Sequence, residues 1–142
     1  MFLLKNSANE GDLHLKYVRD HELEAVLVRL IRDLELNYIN PENIRVVRSK
    51  GSHSVGTVAR IHGLPKCVQV GLGLEPSYVI EVIDEKFSPL NKQQKIRVLI
   101  HELLHIPSNF GGGVLAHSRK NFLKLEELYF SKLEDILDLY QL

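Results

Sequence analysis

The strongest constraint on this chain comes from residues 101–105, which read His-Glu-Leu-Leu-His. The apolar residues before and within this segment recur at steps of three and four, as one face of an α-helix requires. Residues four apart lie one turn from each other on the same helical face, so His101 and His105 can direct imidazole nitrogens at one metal ion. Glu102 lies beside them, where a carboxylate can accept a proton from a water molecule on that ion. The segment therefore predicts a zinc peptidase centre on a helix.

The third metal ligand must come from elsewhere in the chain. A catalytic zinc site normally has three protein ligands and one open position. His117 is the first candidate, because the glycines at 111–113 allow the chain to turn back toward the helix. Glu126 and Glu127 are the alternatives, since some zinc peptidases use a glutamate from a downstream helix. The residues alone leave this choice open.

A centre of this kind would hydrolyse a peptide bond. The metal lowers the pKa of its bound water toward about 7, and Glu102 then acts as the general base. The carboxyl would next pass the proton to the leaving amine, while a further donor stabilises the oxyanion. The candidates for that donor are Tyr78, Arg119 and Tyr129.

The length and composition of the chain limit its organisation. With 142 residues, of which 44% are hydrophobic, we expect a single domain over residues 1–142, with 1–17 as a loose arm or an added edge strand. Cys67 is the only cysteine, which excludes an internal disulfide and favours a reducing compartment. The sequence shows neither a secretory signal nor a transmembrane run. A cytoplasmic protein without a membrane partner is the expectation.

The charge distribution supplies the alternative function. A formal net charge of zero argues against a dedicated nucleic-acid-binding protein. Between residues 44 and 66, however, every charged side chain is basic; the five are Arg45, Arg48, Lys50, Arg60 and Lys66. The alternative to an enzyme is therefore a non-catalytic domain, stabilised by zinc with four closed ligands, whose Arg45–Lys66 region binds nucleic acid or an acidic partner.

Hydrophobic periodicity predicts three helices and a small sheet. The helices are expected at residues 20–38, 91–107 and 118–140, the second beginning at a capping box of Asn91 and Gln94. The extended segments are expected at residues 44–48, 57–61, 67–70 and 78–83. Because no connection leaves room for a crossover helix, antiparallel pairing is predicted. Segment 78–83 is also a candidate edge strand for an extended peptide substrate.

The sequence resembles the phage and archaeal zinc metallopeptidases and, more distantly, the SprT-like zinc peptidases. The similar residues lie within about residues 56–125, and they are Tyr-Val-Ile-Glu-Val at 78–82, Phe87, Gln-Gln-Lys at 93–95, the 101–105 segment and His-Ser-Arg-Lys-Asn-Phe at 117–122. The resemblance implies zinc held by His101, His105 and His117, with Glu102 as the catalytic residue and a protein or peptide as substrate. It also implies an α+β, minimal zincin-like fold with an N-terminal helix, a small mostly antiparallel sheet, the motif helix and a C-terminal helix.

Two departures limit this resemblance. Ser118 stands where an aspartate or glycine is expected after the third histidine, and the cysteines of the SprT-like zinc ribbon are absent. The separation of His105 from His117 is also too long for the compact metzincin arrangement. DNA-linked roles of SprT-like enzymes are therefore not expected here.

Overall fold

A computed structural model describes residues 15–53 and 55–142. It shows the predicted α+β fold, in which a four-stranded sheet packs against helices. The elements in chain order are β1 (Lys16–Arg19), α1 (His21–Asp33), β2 (Ile44–Lys50), β3 (Ala59–Gly63), α2 (Lys66–Leu72), β4 (Tyr78–Ile83), α3 (Asp84–Phe87), α4 (Lys92–Leu103) and α5 (Phe122–Ser131). Two 3-10 turns, Pro41–Asn43 and Glu134–Leu139, precede β2 and follow α5.

The sheet has the strand order β1-β2-β4-β3. β1 pairs antiparallel with β2, and β3 pairs antiparallel with β4, but β2 and β4 run parallel. The prediction of antiparallel connections is therefore wrong for the central pair, because β3 and α2 lie within the connection from β2 to β4. The bounds of the 78–83 strand are confirmed, but it is a central strand, so its predicted role as an edge strand is wrong.

One core fixes the motif helix on the sheet. Alternate residues of β2 and β4 face the helices, and α1 and α4 bury their apolar faces against them. Each fully buried Leu or Ile side chain contributes about 1.5–3 kcal/mol through removal of its surface from water. The side chains at the centre of this contact are Val46, Ile80, Leu27, Leu30, Ile96 and Leu99. The core thereby sets where α4 directs its polar face.

Helix α1 ends at Asp33, earlier than the predicted residue 38. The Glu35 amide donates to the Arg32 carbonyl at 3.1 Å, and the Leu36 amide donates to the Ile31 carbonyl at 2.9 Å. These two bonds form a Schellman motif, in which Glu35 takes a left-handed conformation with φ of 55°. Glycine usually occupies that position. Because a glutamate stands there instead, no residue in the sequence indicated that the helix ends at this point.

The segment 67–70 is helical, and its assignment as a strand is wrong. Pro65 precedes α2, and Gly73 closes it in the left-handed conformation with φ of 65°. The two valines favoured a strand, but Gln69 points inward, while Cys67 and Val70 are exposed. The neighbouring strand, predicted at 57–61, lies at β3.

The capping box at the start of α4 is confirmed. The Gln94 amide donates to Asn91 Oδ1 at 2.9 Å, and the Asn91 amide donates to Gln94 Oε1 at 3.0 Å. The helix ends at Leu103, so His105 lies in a tight turn after it, with its amide donating to the Glu102 carbonyl at 3.1 Å. The last predicted helix, 118–140, is also shorter and consists of α5 followed by the 3-10 turn.

The beginning of the chain is described only from residue 15. Residues 16 and 17 belong to edge strand β1, as one of the two predictions for residues 1–17 stated, and residues 1–14 lie outside the described part. Within the described residues, no helix has the length and apolar character needed to cross a membrane.

Arg48 links α1, β2 and α3, and its loss tests this junction. Its guanidinium lies 2.9 Å from Asp20 and 2.8 Å from Asp84. The Ser88 hydroxyl and Arg48 together hold the pKa of Asp84 below its ordinary value. We expect Arg48→Met to lower the free energy of unfolding at pH 7 by about 1–3 kcal/mol, because two carboxylates lose their counter-charge.

The same substitution should matter less in acid. A carboxylate with a lowered folded pKa adds stability above its unfolded pKa of about 3.9, and this stability is lost as the pH falls below that value. Urea denaturation at pH 7 and pH 3 should therefore show a smaller effect of Arg48→Met at pH 3. Arg32→Met, at an exposed ion pair, is the control and should cost less than about 0.5 kcal/mol. Equal losses at both pH values would contradict this account.

Candidate metal centre

Three histidine side chains converge at the end of α4. His101 lies in the last turn of the helix, His105 in the turn that follows, and His117 in the turn before α5. The Nε2 atom of His117 lies 2.9 Å from that of His101 and 3.1 Å from that of His105. One possible ligand atom from each residue lies within 4.8 Å of the others. The structure thus brings together the three histidines that the sequence suggested, and they could hold a metal ion.

The outer nitrogens of two of these rings have acceptors as partners. His101 Nδ1 lies 2.7 Å from Glu126 Oε1, and His105 Nδ1 donates to the Leu115 carbonyl oxygen. Because a carbonyl only accepts, the proton of neutral His105 is on Nδ1, and an ionised Glu126 fixes the same tautomer in His101. The Nε2 atoms of both rings are then bare lone-pair donors. Both face His117.

This donor set fits a metal ion better than hydrogen bonding among the rings. His117 has one Nε2 proton at most when neutral, whereas two bare Nε2 atoms lie beside it. A cation at the centre would satisfy all three nitrogens. Nitrogens bound to tetrahedral zinc at about 2.0–2.1 Å lie roughly 3.3 Å apart, which is close to the observed 2.9 and 3.1 Å. Imidazole donors suit zinc and other divalent transition metals.

Phe122 provides an apolar support for the three rings. Its ring centroid lies 5.0 Å from that of His101, 4.8 Å from that of His105 and 5.7 Å from that of His117. Burial lowers the pKa of His105, and the neighbouring His117 and His101 lower it further, against the effect of the Leu115 carbonyl. The environment therefore favours the neutral imidazole, which is the form that binds metals.

The two glutamates predicted as alternative ligands do not contact the three Nε2 atoms that face each other. Glu126 contacts the Nδ1 side of His101, away from the Nε2 atom that faces His117. Glu127 binds Arg97 at 2.7 Å, and 68% of its side chain is exposed. These positions favour His117 over either glutamate as the third ligand.

Glu102 is a buried carboxyl beside the histidines. It is 5% exposed and lines the same cleft as the three imidazoles. Burial raises the pKa of Glu102 to about 7, although His101 and His62 lower it and Glu126 raises it further. A carboxyl of this pKa can accept and return a proton near neutral pH.

A polar clamp holds the glycine loop that leads to His117. The Tyr78 hydroxyl donates to the Gly113 carbonyl and accepts from the Gly112 amide, both at 2.8 Å. The Gln69 side-chain amide donates to the Gly111 carbonyl at 2.9 Å. Tyr78 and Gln69 are both buried. The loop is therefore fixed by side chains from β4 and α2.

The clamp leads directly into the histidine site. Beyond the glycines, the Leu115 amide donates to the His105 carbonyl at 2.8 Å, and the Leu115 carbonyl accepts from the His105 ring. This reciprocal pairing fixes the chain two residues before His117. Among the three glycines, Gly112 also allows close backbone packing, because a Cβ atom there would lie 2.2 Å from the Leu64 carbonyl oxygen.

None of the predicted oxyanion donors lines the cleft. The Tyr78 hydroxyl is engaged by the glycine loop, and Arg119 and Tyr129 do not contribute to the cleft surface. The open volume above the histidines is about 780 Å³. Its walls come from residues 56–61, from α4 and the following His105, from residues 114–117 and from Glu126.

The Arg45–Lys66 region carries less free positive charge than its sequence suggests. Arg48 binds two aspartates, and Arg60 lies 3.4 Å from Glu81. His62 is half exposed and lies 2.9 Å from the same Glu81 carboxylate. This pairing weakens the argument for a nucleic-acid surface.

Sequence reasoning missed two contributors to the site. The Leu115 carbonyl left no signal, because every residue has such a group. Arg97 lies four residues before His101 and lines the cleft. Helical spacing could have placed Arg97 beside the histidines. The sequence prediction, however, considered only the metal motif and the residues that follow the motif.

The fold and the site define a small α+β protein in which three clustered histidines at an open cleft could hold a metal ion. The model of the family described as "Putative phage metallopeptidase" matches residues 15–141, so the chain belongs to this family. No curated protein and no solved structure matches it. The family confirms the resemblance to phage metallopeptidases, whereas no similarity to SprT-like peptidases was found.

Two glycines form a matched test of the loop packing. A Cβ atom on Gly63 would lie 1.9 Å from the Gly112 carbonyl oxygen, whereas one on Gly71 would have no atom within 4 Å. We expect Gly63→Ala to lower the free energy of unfolding by about 1–3 kcal/mol through overpacking. Gly71→Ala, in α2, should be neutral or stabilising by up to about 1 kcal/mol. Chemical denaturation of both variants checks this, and a tolerated Gly63→Ala would refute the close packing.

Proposed function

We propose that the protein is a zinc-dependent peptidase, with His101, His105 and His117 as zinc ligands and Glu102 as general base. The convergence of three Nε2 atoms beside a buried carboxyl carries this proposal. Membership of a metallopeptidase family supports it independently of the geometry.

The chemistry divides between the ion and the chain. When bound, zinc would supply a Lewis acid that polarises the substrate carbonyl and lowers the pKa of water toward about 7. Glu102 accepts the proton of the attacking water and returns it to the leaving amine. Its buried position in the cleft keeps the carboxyl next to the reacting atoms and limits its contact with bulk water.

The outer partners of the histidines prepare the ligands. Glu126 and the Leu115 carbonyl hold the Nδ1 protons of His101 and His105, so that the two Nε2 atoms remain free to bind. Phe122 packs against the rings and limits their rotation. The site therefore needs little rearrangement to accept an ion.

An open coordination position favours catalysis over a purely structural metal. A structural zinc site is closed by four protein ligands. Among the described residues, the group suited to a metal contains three histidines, and an open cleft adjoins it. This observation supports the enzyme over the non-catalytic zinc-stabilised module.

The sheet edge at the cleft suits an extended peptide. β3 is an edge strand, and residues 56–61 line the cleft together with the histidines. Backbone groups on a free edge can pair with an added strand. A protein or peptide bound in this way would lie across the site, so β3 takes the role that the sequence suggested for residues 78–83.

Metal analysis tests the ligand set. Purified protein should contain about one zinc per chain by plasma mass spectrometry. His101→Ala and His117→Ala should lose it, because two imidazoles bind weakly, and Glu126→Gln should keep the site with about 10- to 100-fold weaker affinity. Glu127→Gln is the matched control and should be unchanged. Zinc retained in His117→Ala but lost in Glu126→Gln would move the third ligand to Glu126.

Glu102→Gln tests the general base. This variant should bind zinc normally but cleave a mixed peptide library about 10²- to 10⁴-fold more slowly, because the amide cannot accept the proton. Cleavage products would be quantified by mass spectrometry, with Glu134→Gln, an exposed residue outside the cleft, expected to retain full activity. Unchanged turnover in Glu102→Gln would contradict the proposed role.

A further inference from the structure

Two arginines line the cleft alongside the histidines. Arg97 comes from α4 and Arg60 from β3. The acidic side chains of the cleft are Glu102, assigned to proton transfer, and Glu126, which contacts His101. The remaining charge that the cleft offers to a bound molecule is therefore positive.

Arg97 is held in a defined position beside the metal centre. Its guanidinium carbon lies 4.0 Å from the centroid of the Phe130 ring, and Phe130 is buried in the core. Stacking on an aromatic face restricts a guanidinium while leaving its edge donors available. Arg97 is also one helical turn before His101, on the same side of α4.

The present partner of Arg97 is a weak competitor. Glu127 contacts it at 2.7 Å, but 68% of the Glu127 side chain is exposed. Exposed ion pairs contribute little because water and salt screen them and both side chains lose freedom. A carboxylate on a bound substrate could therefore replace Glu127 at the fixed guanidinium.

Arg60 is less suited to this role. It lies 3.4 Å from the buried Glu81 carboxylate, which His62 also contacts at 2.9 Å. Its charge is thus partly balanced within the protein. Arg97 is the better recognition group.

We propose that the cleft selects peptides with an aspartate or glutamate close to the scissile bond, recognised by Arg97. This inference rests on the peptidase function proposed above. Four residues of helix span about 6 Å, and an extended peptide advances about 3.3 Å per residue. The acidic side chain therefore lies within about two residues of the bond that is cleaved.

The first test measures cleavage preference. The zinc-loaded protein would digest a peptide library of randomised sequence, and mass spectrometry would give the residues around each cleaved bond. Aspartate and glutamate should be enriched within two residues of the cut. Arg97→Gln should remove this enrichment and reduce kcat/KM for an acidic peptide about tenfold, mainly through KM, whereas kcat/KM for the matching amide peptide should change little.

Three further variants sharpen the test. Arg97→Glu should reverse the preference toward lysine and arginine. Glu127→Gln should strengthen the preference for acids, because it removes the competing carboxylate. Arg32→Gln changes the net charge by the same amount as Arg97→Gln but lies outside the cleft, so it should leave the preference unchanged.

A binding measurement separates this inference from the peptidase proposal. Fluorescent peptides containing aspartate or asparagine at the same position would be titrated onto Glu102→Gln, with and without Arg97→Gln. Tighter binding of the aspartate peptide that depends on Arg97 supports the inference even if no peptide is cleaved. Cleavage without acidic preference overturns the inference alone, and the absence of both cleavage and selective binding overturns both proposals.

Discussion

The pairing of Leu115 with His105 is the interaction on which the site depends. It connects the turn after α4 to the loop that carries His117, through one backbone bond and one bond to the imidazole ring. It holds the chain two residues before the third histidine directly against the second. The pairing also fixes the tautomer of His105, so the contact that positions the loop before the third histidine also prepares the second for binding.

The fold supports this contact from two directions. The apolar core packs α4 against β2 and β4, and this packing fixes the positions of His101 and Glu102. On the other side, Tyr78 and Gln69 bind the glycine loop before it reaches Leu115. Buried polar groups are costly unless they are paired, and here their pairing specifies the path of an otherwise permissive loop.

The sequence predicted those parts of the structure that have a strong local signal. The capping box of α4 and the limits of β4 follow from side-chain chemistry and from apolar residues over a short distance. The proximity of the three histidines could be expected from the sequence. His101 and His105 share one face of a helix, and the glycine-rich loop lets the chain turn back so that His117 reaches them. The sequence therefore predicted which three histidines the structure brings together.

The failures have equally physical causes. The Schellman motif at Glu35 lacks its usual glycine, and α2 is a short helix whose valines favour a strand. The parallel pairing of β2 with β4 is a long-range contact, which local patterns do not encode. The Tyr78 hydroxyl holds a loop that is distant from it in the chain. The sequence could therefore suggest Tyr78 only as a candidate oxyanion donor.

A crystal structure of the zinc-loaded protein would show the ligand set directly. We expect one ion bound to the Nε2 atoms of His101, His105 and His117, with Glu102 unbound and the fourth position open to the cleft. An ion closed by a fourth protein ligand, or one bound by Glu126 in place of His117, would contradict it.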